Sequence, residues 1–432
     1  TESGRISMNV AFYTLGCKVN QYDSQAMAGY LEKAGHTIVP FDGPADAYVI
    51  NSCTVTAESD RKTRQAIGRA KKHNPAALVC VAGCYAQHAG PALLQRGDVD
   101  AVLGTGHRQR IVEVLEAAQH GQKLDAVEAY QKTAPYEEGQ GALIERARAY
   151  LKIQDGCDRH CTYCIIPTAR GPIRSRSLEA LRAETQRAAG AGHAEIVLTG
   201  IRLASYGRER GLTLADALKA AAETDVQRIR LGSLDPDEIS QDLIDACAAE
   251  EKFCRQFHLS LQSGCDKTLH RMARRYTTAQ FADTVARIRA AMPDAVFTTD
   301  VMCGFVGETE EDHRASLAFC ENIGFYKLHV FHYSKREGTA AARMPGHLPQ
   351  AVKQQRAAEM AALGRRLEQR YLQQIVGTEQ EVVLETQQKD GFLGHTRGYA
   401  PVLVRGEGLA MQQVRRVFIE KADKNLCKGL AK

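Results

Sequence analysis

Cys157, Cys161 and Cys164 stand in a C-x3-C-x2-C arrangement inside QDGCDRHCTYCIIPTARG. Thiols this close on one loop converge only when the chain wraps around a common centre. A zinc site usually wants four ligands grouped in pairs, and no fourth cysteine or histidine pair follows at a suitable spacing. His160 adjoins Cys161, so the two side chains tend to diverge, and it reads as a solvated loop residue. A 4Fe-4S cluster takes four thiolates, one per iron. Three thiolates leave one iron open to a small molecule.

Cys17, Cys53 and Cys84 form a second set, far apart in sequence. Each follows a short apolar run: MNVAFYTL, AYVIN and ALVCVAG. Helical patterns over about residues 21–33 and 58–72, and another after Pro91, alternate with these runs. Strand, helix, strand, helix predicts a parallel, doubly wound sheet that binds ligands outside the carboxyl ends of its strands. The cysteine intervals of 36 and 31 residues are each about one such repeat, so the three thiols are expected on one sheet edge. Gly16 and Gly83 directly precede Cys17 and Cys84, which suits backbone turning tightly beside a bulky ligand.

The elements that position these residues extend over 432 residues, enough for two or three domains. With 44% hydrophobic and 25% charged residues, the composition is that of a globular chain rather than a disordered one. The segment before Met8 is set aside as a non-native leader. No basic-then-apolar export signal and no long apolar stretch are visible, so the chain reads as soluble, cytoplasmic and without a membrane. Thirteen cysteines in a reducing compartment will not persist as disulfides. Cys80, Cys247, Cys254, Cys265, Cys303, Cys320 and Cys427 lie singly and read as small buried hydrophobes.

The fold expected is α/β: a doubly wound N-terminal domain over residues 8–120, a linker over 121–145, a partial or complete parallel (β/α) barrel over 146–375, and a small all-β barrel over 376–432. Strands are expected at 149–153, 195–200, 228–233, 257–262, 296–305 and 327–333, with the site at their carboxyl ends. The net charge of +5 is too weak alone to claim a nucleic acid. Its placement says more, because residues 397–432 carry eight Lys or Arg against three acids. A basic face on a small β-barrel suits a phosphate backbone, with a solvated surface as the alternative.

C-x3-C-x2-C with Tyr163 before the last cysteine resembles the radical S-adenosylmethionine enzymes. From about Met8 onward the chain resembles their methylthiotransferases, which join an N-terminal three-cysteine domain, a radical domain and a C-terminal TRAM barrel. The blocks that carry the resemblance include TLGCKVNQYDS, NSCTVTAESDRKTRQAI, AGCYAQ, LKIQDGCDRHCTYCIIPTARGPIRSRS, FHLSLQSGCDKTLHRMARRYT and GFVGETEED. LGCKVNQ and LKIQDGCDR are most similar to the branch that modifies N6-threonylcarbamoyladenosine beside the tRNA anticodon.

The resemblance implies two 4Fe-4S clusters, one on Cys17, Cys53 and Cys84, the other on Cys157, Cys161 and Cys164 with S-adenosylmethionine. It further implies a tRNA anticodon loop as substrate and an electron donor such as flavodoxin or ferredoxin. Tyr163, Thr199, Gly200, Ser233, Asp235, Ser260, Gln262 and Gly304 are the expected cofactor contacts, with ordinary capping or turning as the other reading. Gly307 is treated with Gly304. Arg170, Arg174 and Arg176 are expected to hold phosphates at the mouth of the site, and Arg415 and Arg416 to grip RNA from a barrel whose removal leaves cofactor cleavage nearly untouched. Arg202, Val306 and His332 depart from the family pattern near strand ends. The competing readings are isopentenyladenosine or a ribosomal-protein aspartate as substrate, and, in another class, an iron-sulfur electron carrier or RNA-binding module. A carrier needs fully ligated irons, whereas both sets here are one thiolate short.

Overall fold

The computed structural model describes residues 7–54, 57–131, 133–139 and 147–432. Residues 1–6, from the segment set aside before Met8, and residues 132 and 140–145 of the expected linker lie outside the described residues. The chain divides into two compact units. One comprises residues 1–144, 155–176 and 334–339; the other comprises 145–154, 177–333 and 340–432. The division is not linear along the chain, since the loop carrying Cys157, Cys161 and Cys164 belongs with the N-terminal sheet.

In that first unit six strands pair in parallel: β1 (Asn9–Thr14), β2 (Thr37–Val39), β3 (Ala47–Ser52), β4 (Leu78–Gly83), β5 (Ala101–Leu103) and β6 (Leu124–Ala126), in the order β2-β1-β3-β4-β5-β6. β3 is buried along its whole length because helices cover both faces, each over its own apolar cluster. Helices Lys18–Lys33 and Ala57–His73 match the apolar periodicity of the sequence. The latter carries Glu58 and Asp60 in its first turn and Lys71, Lys72 and His73 in its last, which complements the helix dipole. The third helix starts at Cys84 and contains Pro91, with non-helical backbone at Ala89 instead of a fresh start after the proline. β6 falls within the segment read as a linker. Its three residues pair with β5 and form the sheet edge, too short to leave a period in the sequence.

In the second unit, β7 (Arg148–Asp155) leads towards the cysteine loop; the two-residue strand β8 (Arg174–Ser175) that follows the loop belongs to the first unit. β9 (Glu195–Gly200) pairs in parallel with β7 and with β10 (Arg228–Leu231). A second parallel sheet runs β11 (Ser233–Leu234), β12 (Gln256–Gln262), β13 (Val296–Cys303) and β14 (Lys327–His332). The run expected as one strand over 228–233 splits at Gly232, whose N–H reaches back to Leu198 O at 2.8 Å. The barrel is therefore partial, built from two sheets.

Helix Gln350–Gln374 packs on β13 and β14 and feeds a closed barrel of β15 (Glu379–Gln388), β16 (Gly391–Thr396), β17 (Pro401–Arg405), β18 (Val414–Asp423) and β19 (Leu426–Ala431). This barrel is not an appended module. Its Val382, Leu384, Val402, Val404, Val417 and Ile419 share one core with Val296, Tyr326, Leu372 and Ile375. Beside that core, Glu195 sits buried between Arg228 (3.0 Å) and Arg230 (2.8 Å), and Arg230 also donates to Arg397 O at 2.9 Å. Removing the barrel would strip this joint, so cofactor cleavage cannot be expected to survive its deletion untouched.

Candidate functional site

Parallel register places the first cysteine set. Ser52 pairs with Gly83 across β3 and β4, so Cys53 and Cys84 each come one residue after a paired position at the carboxyl edge. Thr14 pairs with Asn51, and Cys17 follows on the loop that opens the first helix. Both flanking glycines are required by contact. A Cβ on Gly16 would stand 2.9 Å from Cys53 Cβ and 3.2 Å from its Sγ. A Cβ on Gly83 would meet Asn51 Oδ1 at 2.3 Å, and Gly83 has φ 87° and ψ −157°, a region that essentially only glycine adopts.

Cys53 and Cys84 are buried and Cys17 is exposed. Burial pushes the Cys84 thiol up to about 12, an effect to which Cys53 and Cys17 add and which Arg170 opposes. A cation faces the Cys84 sulfur. Arg170 Nε lies 3.3 Å from Cys84 Sγ.

The second set is closed by local contacts. Cys157 N–H donates to Gly171 O at 3.0 Å, Cys164 N–H to Cys161 O at 3.0 Å, and Arg159 N–H to Cys157 Sγ at 3.4 Å. Gly156, at φ 78°, has no room for a side chain, since a Cβ would fall 1.8 Å from Pro172 O. Cys161 is buried, while Cys157, Cys164 and Tyr163 are half-buried and His160 is exposed, as its spacing predicted. Among the described residues no three His, Cys, Asp or Glu side chains stand gathered as a ready metal centre. What the loop and sheet edge supply is two three-thiol sets, a glycine beside Cys53, and a guanidinium on the Cys84 sulfur. That donor chemistry fits an anionic iron-sulfur cluster, which wants thiolates and N–H donors to sulfur. The seven remaining cysteines are all buried, as expected of small hydrophobes.

The expected cofactor contacts fall at strand ends of the second unit. Thr199 is buried at the end of β9, and Gly200 makes room for Gln154, whose Oε1 would lie 2.8 Å from a Cβ there. Gln154 Oε1 accepts the Arg202 N–H at 2.7 Å, a role not read from the sequence although LKIQDGC contains the residue. Ser233 is exposed, and the Asp235 carboxylate is held by Arg274, with Arg202 Nε at 3.8 Å. Ser260 accepts the Tyr276 hydroxyl through its carbonyl at 2.6 Å, and Gln262 is buried in left-handed backbone at φ 64°. Gly304 and Gly307 turn the chain. A Cβ on Gly304 would lie 2.4 Å from Lys353 Cγ, so the glycine lets the helix Gln350–Gln374 pack close to this turn. Of the departures, Arg202 is buried against Glu238 at 3.0 Å, Val306 is buried, and His332 is exposed beside Gln350.

Arg174 and Arg176 do not stand at an open mouth. Arg174 is buried over the Tyr130 ring at 4.4 Å and 3.7 Å from Asp155, while Arg176 is buried against Tyr22 Oη at 3.2 Å and Gly139 O at 2.9 Å. Arg170 is buried completely. Clustered arginines read as surface charge because sequence shows their number and not the acids that fold against them. Asp23, Asp155 and Glu138 supply those partners here.

On the C-terminal barrel, Arg415 is half-buried, donating to Gln413 Oε1 at 3.0 Å and Gly408 O at 3.3 Å. Arg416 is exposed on the outer face of β18 near Phe418, itself 41% exposed. Arg405 pairs with Glu420 at 2.7 Å, Lys432 with Glu379, and Arg397 with the carbonyls of Glu251 and Phe253. The basic face is therefore narrower than the charge count suggests.

Residues 9–104 match the family described as uncharacterized protein family UPF0004, and residues 151–320 match the radical SAM superfamily. The threonylcarbamoyladenosine tRNA methylthiotransferase MtaB of Bacillus subtilis is 38% identical over 96% of this chain and 94% of its own. The protein of that name from Thermotoga maritima is 36% identical over 92% and 91%. The tRNA-2-methylthio-N(6)-dimethylallyladenosine synthase of Thermus thermophilus is 34% identical over 98% and 91%. Among solved structures, the radical S-adenosylmethionine methyltransferase TsrM of Kitasatospora setae superposes with a TM-score of 0.57 at 14% identity, covering 76% of this chain and 75% of that one, a likeness of fold.

Proposed function

This chain belongs to the radical S-adenosylmethionine methylthiotransferase family, and we propose that it places a methylthio group on C2 of N6-threonylcarbamoyladenosine next to the anticodon of tRNA. The observation that carries the reading is the pair of three-thiol sets, each one ligand short of a closed four-iron cluster, in a chain that matches the threonylcarbamoyladenosine enzymes over nearly its whole length. Cys17, Cys53 and Cys84 would hold one 4Fe-4S cluster. Cys157, Cys161 and Cys164 would hold the other, with S-adenosylmethionine at its open iron. When bound, these groups supply one-electron chemistry that breaks an unactivated C–H bond, together with the sulfur for the new C–S bond.

The chain's own residues do the rest. Gly16 keeps a side chain off Cys53, while Gly83 and Gly156 let the backbone next to Cys84 and Cys157 pack against Ser52 and Pro172. Thr199, Asp235 and Ser260 offer polar groups at the tips of the barrel strands, where ligands bind in this architecture. Arg174 and Arg176, neutralised inside the first unit, hold the segment after the cysteine loop in place and leave the RNA to other residues. Arg415 and Arg416 on the C-terminal barrel are the RNA contacts of this reading, and they bind phosphate without reading sequence. A flavodoxin or ferredoxin supplies the electron, and the cytoplasm is the compartment. No helix among the described residues is long and apolar enough to cross a membrane.

Anaerobic reconstitution with iron, sulfide, S-adenosylmethionine and dithionite, followed by nucleoside mass spectrometry of treated tRNA, tests the proposal. The expected product is the 2-methylthio derivative of N6-threonylcarbamoyladenosine. Methylthiolation of isopentenyladenosine alone would overturn the substrate, and S-adenosylmethionine turnover with no tRNA product would overturn the reaction.

A further inference from the structure

We infer that Arg170 is a positioning residue that links the two cysteine sets: its Nε–H hydrogen-bonds the Cys84 sulfur and raises the reduction potential of the cluster on Cys17, Cys53 and Cys84. The inference rests on the reading of those three cysteines as cluster ligands. Arg170 closes the short helix Ile166–Arg170, six positions after Cys164, so the segment that presents one set also carries a donor to the other. All the residues involved lie in the N-terminal unit.

The guanidinium is fully buried and its fork is engaged on every edge. Nη1 donates to Asp23 Oδ2 at 2.7 Å and faces Asp155 Oδ2 at 3.3 Å, Nη2 donates to Asn20 Oδ1, and Nε stands 3.3 Å from Cys84 Sγ. Asn20 in turn donates to Leu15 O at 2.8 Å and Ser52 O at 3.0 Å, the first just before Gly16 and Cys17, the second just before Cys53. One planar group thereby registers the ends of β1 and β3 against Cys84. The arrangement suits arginine and not lysine, whose ammonium is a point charge without a fixed fork.

Two carboxylates compensate the buried charge, as such a burial requires. Nε carries a single N–H, and with the other edges fixed on Asp23, Asp155 and Asn20 that bond is aimed at sulfur. Hydrogen bonds to ligand sulfurs are among the factors that set cluster potentials. Donation stabilises the electron-rich reduced state more than the oxidised one. A guanidinium acting only as counter-charge to Asp23 and Asp155 could be replaced by the lysine ammonium with no shift in potential, so Arg170→Lys is the variant that reads the bond to sulfur.

The test uses the full chain carrying Cys157→Ala, Cys161→Ala and Cys164→Ala, so that only the N-terminal cluster contributes, with and without Arg170→Gln or Arg170→Lys. After anaerobic reconstitution, iron is counted and the cluster is titrated by electron paramagnetic resonance at controlled potential. The inference predicts retained iron and a fall in the reduced-to-oxidised ratio of about tenfold at a fixed potential, which for a one-electron couple is ~59 mV. Because either variant alters a buried ion network, a second measurement keeps Arg170 in place. Pulsed resonance on chain labelled with 15N-arginine should detect an arginine nitrogen coupled to the reduced cluster. Iron bound with an unshifted potential in the variants, or no nitrogen coupling in the labelled chain, overturns the inference and leaves the cluster reading standing. Failure of the triple-alanine chain to bind iron overturns the cluster reading and the inference with it.

Discussion

The fold presents the two cysteine sets by opposite routes. Cys157, Cys161 and Cys164 share one loop, held by hydrogen bonds between near neighbours, so their spacing alone announces them. Cys17, Cys53 and Cys84 follow the ends of β1, β3 and β4, and they share one sheet edge only because those strands are neighbours in one parallel sheet. A local set depends on loop geometry. A distributed set depends on the fold itself, and a defect in the sheet is a defect in the site.

The sharpest break of this comparison is removal of either set. Cys157→Ala, Cys161→Ala and Cys164→Ala together should remove about half of roughly eight irons, four per cluster, and all 5′-deoxyadenosine formation. Full iron retention in that variant, read by colorimetric iron analysis, would show that the loop is not a ligand set.

Next come the glycines, which separate site from scaffold. Gly83→Ala places a Cβ 2.3 Å from Asn51 Oδ1 and 2.7 Å from Ser52 O, in backbone only glycine favours. It should cost roughly 3 kcal/mol or more and lower N-terminal iron together with the unfolding midpoint. Gly156→Ala strikes Pro172 O in the loop and touches neither apolar cluster of the sheet. Its iron loss should belong to the second set, with a smaller fall in denaturation midpoint. Equal falls in both variants would erase the distinction between local and distributed sites.

A loss of stability of similar size, but with no loss of iron, is expected at the barrel joint, which neither set touches. Glu195→Gln leaves Arg228 and Arg230 buried with their central counter-charge gone, and should destabilise the second unit by about 3–5 kcal/mol while leaving N-terminal iron unchanged. Calorimetry with iron analysis reads both. The smallest effect is at Arg416, exposed on the outer strand. Arg416→Ala should reduce the slope of log affinity for tRNA against log salt by about 0.7 to 0.9, leave iron at its full count, and weaken cognate and non-cognate tRNA alike. An unchanged slope would move the RNA contact away from β18.

Much of this was legible in the sequence. Apolar runs ending just before Cys17, Cys53 and Cys84 gave the parallel sheet and its edge, and the strand at Glu195–Gly200 has the expected bounds. Three kinds of feature were not legible. β6 is three residues long, below the length at which a period shows. The C-terminal barrel looked detachable because its apolar residues alternate like those of any small barrel, and nothing in the pattern tells that Val382 and Leu384 pack on Val296 and Leu372. Arg170, Arg174 and Arg176 looked like a phosphate grip because the acids that neutralise them are remote in sequence, Asp23 lying 147 positions from Arg170. A buried arginine is recognised by its partners, and partners are a property of the fold.

In the proposed function S-adenosylmethionine sits on the loop set alone, so the distributed set serves methylthio transfer without taking part in cofactor cleavage, and one substitution addresses that division. Cys53→Ala removes a thiol from the distributed set and leaves the loop intact. Reconstituted anaerobically with S-adenosylmethionine, dithionite and tRNA, this variant should still form 5′-deoxyadenosine while producing no 2-methylthio nucleoside. Methylthiolated tRNA from the variant, or loss of 5′-deoxyadenosine while the loop cluster remains spectroscopically intact, would contradict the assignment.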